Sequence, residues 1–254
     1  MSQSSSQPAG ILLIDKPISW SSHRVVNFVR RATGVKRVGH TGTLDPFASG
    51  LLIILVGREF TKLQDSFLKQ DKIYECQFEL GYETTTLDST GEVTKACDQP
   101  QLQLIDQAKV QAALDALTGT QQQRPPAFAA IKQSGTTLYQ HARELLKQSD
   151  GVEQLENWQA TLPTREITIH SIQLTSFMAS DSNHPNPTIS IEVFCGSGTY
   201  IRSLIRDVGE KLGTYATATA LRRVSIGNHL LQDANTVDAP LSEWRWLDHK
   251  SENL

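Results

Sequence analysis

The sequence has little of what builds covalent or metal-held frameworks. Its 254 residues include three cysteines, Cys76, Cys97 and Cys195. They are odd in number, far apart and lack a C-x-x-C pair, which argues against a disulfide scaffold and a structural zinc site. The seven histidines form no H-E-x-x-H, the acids form no EF-hand loop, and no G-x-x-x-x-G-K-[ST] run is present. Neither a metal centre nor a Walker A phosphate cradle is signalled. Long apolar runs are missing too: Leu51 to Val56 is strand-sized, against the roughly 18 residues that a spanning helix needs. The opening MSQSSSQPAG has no basic n-region and no apolar stretch before Gly10, so residues 1–9 read as a disordered tail and not a signal peptide. A cytoplasmic protein without membrane contact is expected, with chemistry done by side chains alone.

What is present is an ordinary core-forming composition, 39% hydrophobic and 20% charged, with a formal net charge of −3. That sum argues against gripping nucleic acid by bulk charge. The charge is unevenly placed, however. Asp15 to Lys72 carries a net +5 and Thr199 to Arg223 a net +3, while the remainder carries −11. Two basic segments in an acidic remainder fit one positive surface for a polyanion, and equally fit the fluctuation of any chain.

GILLIDKP (10–17) reads as a buried strand closed by Pro17. Ser21 and Ser22 can cap a helix whose Val25, Val26, Phe28, Val29 and Ala32 form a stripe ending at Gly34. GHTGTLDPFASG (39–50) reads as a loop and LLIILVG as a buried strand. Tyr74, Cys76, Phe78 and Leu80 alternate with polar residues, as in a half-buried strand. A loop is expected from there to about Pro100, a helix over about 104–117, an irregular stretch from 121, and a helix from about Thr137. Strands are expected at Ile167 to Leu174 and Ile189 to Cys195. GSG (196–198) turns the chain into a helix carrying Ile201, Leu204, Ile205 and Val208. ATATALRRVSIGNHLL is read as a short helix and a strand. Elements mix without β-α-β alternation, so the fold class is α+β with a central mixed or antiparallel sheet flanked by helices.

Loop 39–50 is the densest candidate for chemistry, offering His40, Thr41, Thr43 and Asp45 among glycines. Asp45 precedes Pro46, which biases it to an extended conformation with its carboxylate projecting; a plain turn with a local Asp45 hydrogen bond is the other reading. Arg202 at a helix start holds an anion, pairs with a carboxylate, or faces solvent. Tyr74 is a core residue or a base-stacking platform. Tyr200 and Leu221 individually indicate packing only.

Together, GILLIDKP, SSHRVVNFVRR, GHTGTLDPFASGLL, KIYECQFELGYETTTLDSTGEV, PPAFAAIK with LYQHAR, and CGSGTYIRSLIRDVGEKLG with the later LRR resemble the TruB family of tRNA pseudouridine synthases, over roughly residues 10–237. The resemblance implies a pseudouridine synthase fold in a single catalytic domain over 10–237, with an RNA-clamping insertion at about 121–150. It implies isomerisation of uridine to pseudouridine at position 55 of the tRNA TΨC loop, by base flipping and without metal or organic cofactor. Asp45 is then the catalytic aspartate, Arg202 its partner, and Tyr74 the ring that stacks on the target uracil. His40 helps to hold displaced bases, and Tyr200 and Leu221 line the pocket. Ala129 stands where the family usually has Ser. The segment 238–254 is too short for the PUA domain that members commonly carry. A monomer is expected.

The chemistry agrees with the inventory of side chains, since a carboxylate in a dry pocket can act as nucleophile or base and an Arg partner keeps it ionised. Attack at C1′, attack at C6 and proton removal from C2′ all stay open for Asp45. Two other readings are an RNA-binding or tRNA-folding factor and a related synthase acting on rRNA or mRNA. A nucleoside hydrolase or glycosidase would need a second carboxylate, which the motifs do not indicate. Because the net charge is negative, binding of a tRNA stem-loop should rest on a few Lys and Arg contacts and weaken steeply as salt rises. Titrations at low and moderate salt check this, and equal affinity in both would contradict it.

Overall fold

The computed structural model describes residues 8–133, 135–182 and 184–247. All but the last two residues of the expected tail over 1–9 therefore lie outside the described residues, as do residues 248–254 of the C-terminal segment. In chain order the elements are β1 (Gly10–Lys16), α1 (Ser22–Thr33), β2 (Val38–Thr41), β3 (Ser49–Val56), α2 (Arg58–Thr61), α3 (Gln64–Leu68), β4 (Lys72–Leu80), β5 (Tyr82–Thr84), β6 (Val93–Ala96), α4 (Gln99–Leu102), α5 (Gln107–Asp115), β7 (Gly119–Gln123), β8 (Lys132–Gln133) and β9 (Thr136–Thr137). Then follow α6 (Leu138–Leu145), α7 (Gly151–Thr161), β10 (Arg165–Met178), β11 (Thr188–Cys195), α8 (Ile201–Lys211), β12 (Ala216–Ile226), β13 (His229–Leu230), β14 (Asn235–Thr236) and β15 (Trp246–Leu247). The chain forms two compact units. The first takes residues up to Tyr74 and again from Arg222, and the second is Glu75–Leu221. No helix among the described residues is long and apolar enough to cross a membrane.

In the first unit β1 pairs antiparallel with β3 from Gly10↔Val56 to Lys16↔Gly50, and parallel with β14. β2 continues the ladder on β3, with His40 opposite Ile54, and the end of β12 runs parallel to β3 at Arg222↔Ser49 and Arg223↔Gly50. All eight residues of β3 are buried, which explains its unbroken apolar sequence: both faces are covered. Leu52, Ile54 and Val56 pack with Leu12, Ile14 and the α1 stripe of Val25, Val26 and Val29. Leu51, Ile53 and Leu55 face the other way, onto Ile11, Leu13, Phe60 and Phe67. Each such side chain contributes about 1.5–3 kcal/mol by leaving water. α1 starts at Ser21, whose side chain accepts from the Arg24 N–H, and stops at Gly34 in the left-handed region. Residues 238–247 belong to the same core, with Trp244 buried against the α1 cluster and Trp246 opposite Leu12 on β1.

In the second unit the strand order is β12-β4-β11-β10-β7. β4 shows the expected alternation, with Cys76, Phe78 and Leu80 buried. Three local expectations are corrected. ATATALRR is strand, not helix: its alanines and threonines alternate along β12, and β-branched Thr suits a ladder. The stretch after Gly119 is strand β7, polar because it lies at an edge. The loop before Pro100 contains the hairpin β5–β6. Helix α7 had no counterpart in the sequence reading. Its Leu155 and Trp158 pack with Ala142 of α6 and with Ala127.

Gly50 has φ +106, and a Cβ there would lie 2.7 Å from the backbone nitrogen of Arg223. Gly50→Ala should therefore destabilise the protein by about 3 kcal/mol, through strain and the loss of the β3–β12 approach. Urea unfolding checks this, and an unchanged midpoint would contradict the close approach.

Candidate active site

Loop 42–48, which carries Asp45, is narrower than the expected 39–50 because residues 39–41 belong to β2, paired with β3, and residues 49–50 belong to β3, paired with β12 and β1. Two buried cations tie it down. Lys16, at the end of β1, is 0% exposed and donates from Nζ to the carbonyls of Pro17 (3.0 Å), Trp20 (2.7 Å) and Ala48 (2.5 Å). Arg223 is 1% exposed and donates to the carbonyls of Leu51 (2.8 Å from Nε) and Gly42 (3.1 Å from Nη2). Ser22 adds a two-way bond: its hydroxyl accepts from the Leu44 N–H at 2.8 Å and donates to the Leu44 carbonyl at 3.1 Å. The Ser19 N–H donates to the Pro46 carbonyl at 2.7 Å, and the Ala48 N–H closes a turn on the Asp45 carbonyl at 3.1 Å. Asp45 itself is half-buried.

Burial and neighbouring charges act on two groups here, Lys16 and His40. Burial brings the Lys16 ammonium down to about 8; the Asp45 and Asp15 carboxylates oppose that shift and Arg223 adds to it. Burial also holds the His40 imidazole below its ordinary range, with Arg223 and His23 pushing the same way. His40 Nδ1 is buried with no hydrogen-bond partner among the described residues. Next to the loop, Arg222 pairs with Asp15 at 2.7 Å and donates to Ser49 Oγ at 3.0 Å. Tyr74, the third site candidate in this unit, is 8% exposed.

The second unit holds the other three candidates. Arg202 and Arg206, four apart on α8, are both buried, at 3% and 8%, so the solvated-face reading of Arg202 fails. Arg202 donates to the carbonyls of Thr86 (2.6 Å) and Phe128 (2.9 Å), and its Nη1 lies 3.7 Å from the buried Asp88 carboxylate. Asp88 Oδ1 is in turn held by Thr86 Oγ1 at 2.9 Å and by the Thr90 N–H at 3.0 Å. The neighbouring Leu87 has φ +61, a strained conformation for a branched side chain, maintained by bonds to Thr84 and Ala218. Tyr200 occupies the N-cap position of α8, and Leu221 is buried on β12. Within the 121–150 stretch, Phe128 meets Tyr139 edge-on, and Arg143 lies 5.0 Å above the Tyr139 ring. These residues border a cavity of about 1010 Å³ that Thr86 and Lys147 also line.

Sequence reasoning missed Lys16, Arg223 and Asp88 as parts of these arrangements. The available signals were a lysine closing an apolar strand and a second arginine after Leu221, neither distinguishable from a surface charge without the fold. Among the described residues, no group of three or more His, Cys, Asp and Glu side chains could hold a metal ion.

Residues 30–201 match the family described as TruB family pseudouridylate synthase (N terminal domain). Proteins named tRNA pseudouridine synthase B from Thermobifida fusca and Desulfotalea psychrophila are each 40% identical, over 236 and 229 residues. The alignments cover 92% and 90% of this chain and 75% and 86% of those proteins. Among solved structures, a chain of a Cbf5-Nop10-Gar1 complex aligns with TM-score 0.61 at 22% identity, covering 89% of this chain and 52% of that one. A chain of an H/ACA RNP bound to a substrate RNA containing 2′-deoxyuridine gives 0.59 at 20%, covering 90% and 51%. This chain spans about half the length of those solved chains, and the likeness is one of fold.

The lowered His40 value has a definite sign in stability. The folded state resists a proton that the unfolded chain accepts, so stability should fall as pH drops below the ordinary histidine value of 6.5. His40→Gln should flatten part of that acid-side slope in unfolding measured between about pH 7 and 5. An identical slope in the variant would contradict the assignment.

Proposed function

The chain belongs to the TruB family of pseudouridylate synthases, and from that membership we propose that it isomerises uridine to pseudouridine in the TΨC loop of tRNA, at conventional position 55, with Asp45 as the catalytic carboxylate. The observation that carries the proposal is the fixed Asp45 loop: a half-buried carboxylate on backbone that buried Lys16 and Arg223 immobilise. The reaction breaks the N1–C1′ bond, turns the uracil, and forms C5–C1′. C5 loses its proton and N1 gains one, so no oxidant or reductant is consumed. A carboxylate held in place can act at C1′, at C6 or on the C2′ proton, and each route gains from preorganisation.

A uridine stacked within an RNA loop cannot reach a half-buried carboxylate, so the nucleotide must be flipped out. Tyr74 is assigned the stacking of the extruded uracil, Tyr200 and Leu221 the pocket wall, and His40, kept neutral by its surroundings, the holding of displaced bases. Arg202 is assigned the role of cation for the Asp45 carboxylate. Its bonds to Thr86 and Phe128 and its approach to Asp88 support that role, because they fix the guanidinium before substrate arrives. The 121–150 segment, with Tyr139 and Arg143 at its cavity, is assigned the clamping of RNA by ring and cation. We take residues 10–237 as the catalytic domain, acting as a monomer on the cytoplasmic tRNA pool.

Asp45→Asn keeps the volume and removes the charge. It should lower single-turnover pseudouridine formation in a TΨC stem-loop by about a thousandfold or more while leaving stem-loop affinity largely intact. Tritium release from C5-labelled uridine and filter binding measure the two quantities, and near-normal turnover by the variant would sink the proposal.

A further inference from the structure

We propose that Gln123 and Arg165 are positioning residues for Tyr200, one holding its backbone and the other its ring; this rests on the reading of Tyr200 as a wall of the uracil pocket. The two residues are direct partners across the antiparallel β7–β10 ladder. Side chains of directly opposed residues emerge on the same face of a sheet, so the register itself sends both toward one target.

Gln123 is 1% exposed, and both ends of its amide are used on a single residue 77 positions away. Its Oε1 accepts from the Tyr200 N–H at 2.9 Å, and its Nε2 donates to the Tyr200 carbonyl at 3.1 Å. The side chain thus imitates one step of a strand ladder. The same carbonyl also accepts the Leu204 N–H at 3.0 Å, so the amide is joined to the first turn of α8. Tyr200 needs this outside support, because it occupies the N-cap position and its own side chain makes no capping bond. Gly198, at φ +86 just before it, turns the chain in a conformation that side chains rarely adopt.

The ring is held separately. The guanidinium carbon of Arg165 lies 4.6 Å from the centroid of the Tyr200 ring. Arg165 Nε and Nη2 are buried without hydrogen-bond partners among the described residues, so no hydrogen bond of those atoms competes with the stacking of the guanidinium on the ring. Tyr200 also packs against the cluster of Ala129, Leu138 and Leu162. The amide pair fixes where the Cα sits, and the cation and the cluster fix where the ring points. A ring freed of Arg165 would sample other rotamers, and a pocket wall in motion slows the chemical step more than it weakens binding of a large RNA.

The test is a double-mutant cycle on single-turnover rate and stem-loop affinity, with thermal unfolding as the control for folding. Arg165→Met should lower the rate about tenfold and change Kd by less than about twofold. Arg165→Lys, which keeps a cation near the ring, should recover part of the rate. In a Tyr200→Leu background Arg165→Met should cost less than about twofold further. Equal losses in both backgrounds, or a fully active Arg165→Met, would overturn the role of Arg165 while leaving Tyr200 in the pocket. A Tyr200→Leu variant with normal rate would instead overturn the pocket reading, and this proposal with it. Gln123→Met is of nearly equal volume and should speed hydrogen exchange at the Tyr200 amide about tenfold or more. Unchanged exchange would remove Gln123 from the pair.

Discussion

A positive charge buried on backbone carbonyls is costly to desolvate, and the first unit of this protein contains two, Lys16 and Arg223, at 0% and 1% exposure. Among the described residues, neither is spent on a simple ion pair. Lys16 gathers the carbonyls of Pro17, Trp20 and Ala48, and Arg223 those of Leu51 and Gly42. The arrangement joins the end of β1, the approach to α1, both ends of the Asp45 loop and the start of β3. Irregular backbone of this kind has carbonyls that no ladder can satisfy, and a multidentate cation satisfies several at once. The apolar packing of β1 and β3 then supplies the stability that makes such burial tolerable.

The functional consequence follows from the same constraint. Under the proposed function, a carboxylate that acts on one atom of a flipped base loses rate quickly if its backbone wanders. Here the loop is closed at Gly42 by Arg223, at Leu44 by Ser22 and at Ala48 by Lys16, with Asp45 between the second and third ties. Arg223 helps keep His40 neutral, and Asp45 and Asp15 resist the fall in the Lys16 value. In the second unit, Arg202 is fixed by neutral carbonyls and a carboxylate held by Thr86 and Thr90. Under the proposed function, each of these arrangements holds a charged group in place before substrate arrives, which is how electrostatic catalysis avoids reorganisation.

Much of the fold could be read from the residues because the patterns were strong. The continuous apolar run of β3, the stripe of α1 with Ser21 and Gly34 at its ends, and the alternation of β4 each belong to one period only. What escaped notice was polar or ambiguous. β7 is Gly-Thr-Gln-Gln-Gln at a sheet edge, β12 opens with alanines that suit either period, and the hairpin β5–β6 is short and largely exposed. The same division holds for the site. Asp45, His40, Tyr74 and Arg202 lie in distinctive ordered blocks, and the roles proposed for them rest on those blocks. Lys16, Arg223, Gln123 and Asp88 act through backbone atoms or neighbouring residues brought close only by folding, and no spacing in the sequence encodes that.

Hydrogen exchange at the Leu44 and Ala48 amides, compared between the native chain and Lys16→Met, tests the central dependence most directly. If buried Lys16 holds the Asp45 loop, both amides exchange slowly in the native protein and the Ala48 amide loses most of its protection in the variant, while the α1 amides keep theirs. Protection of the Ala48 amide that survives removal of the ammonium would show that the loop is held without it, and the account would fail at its foundation.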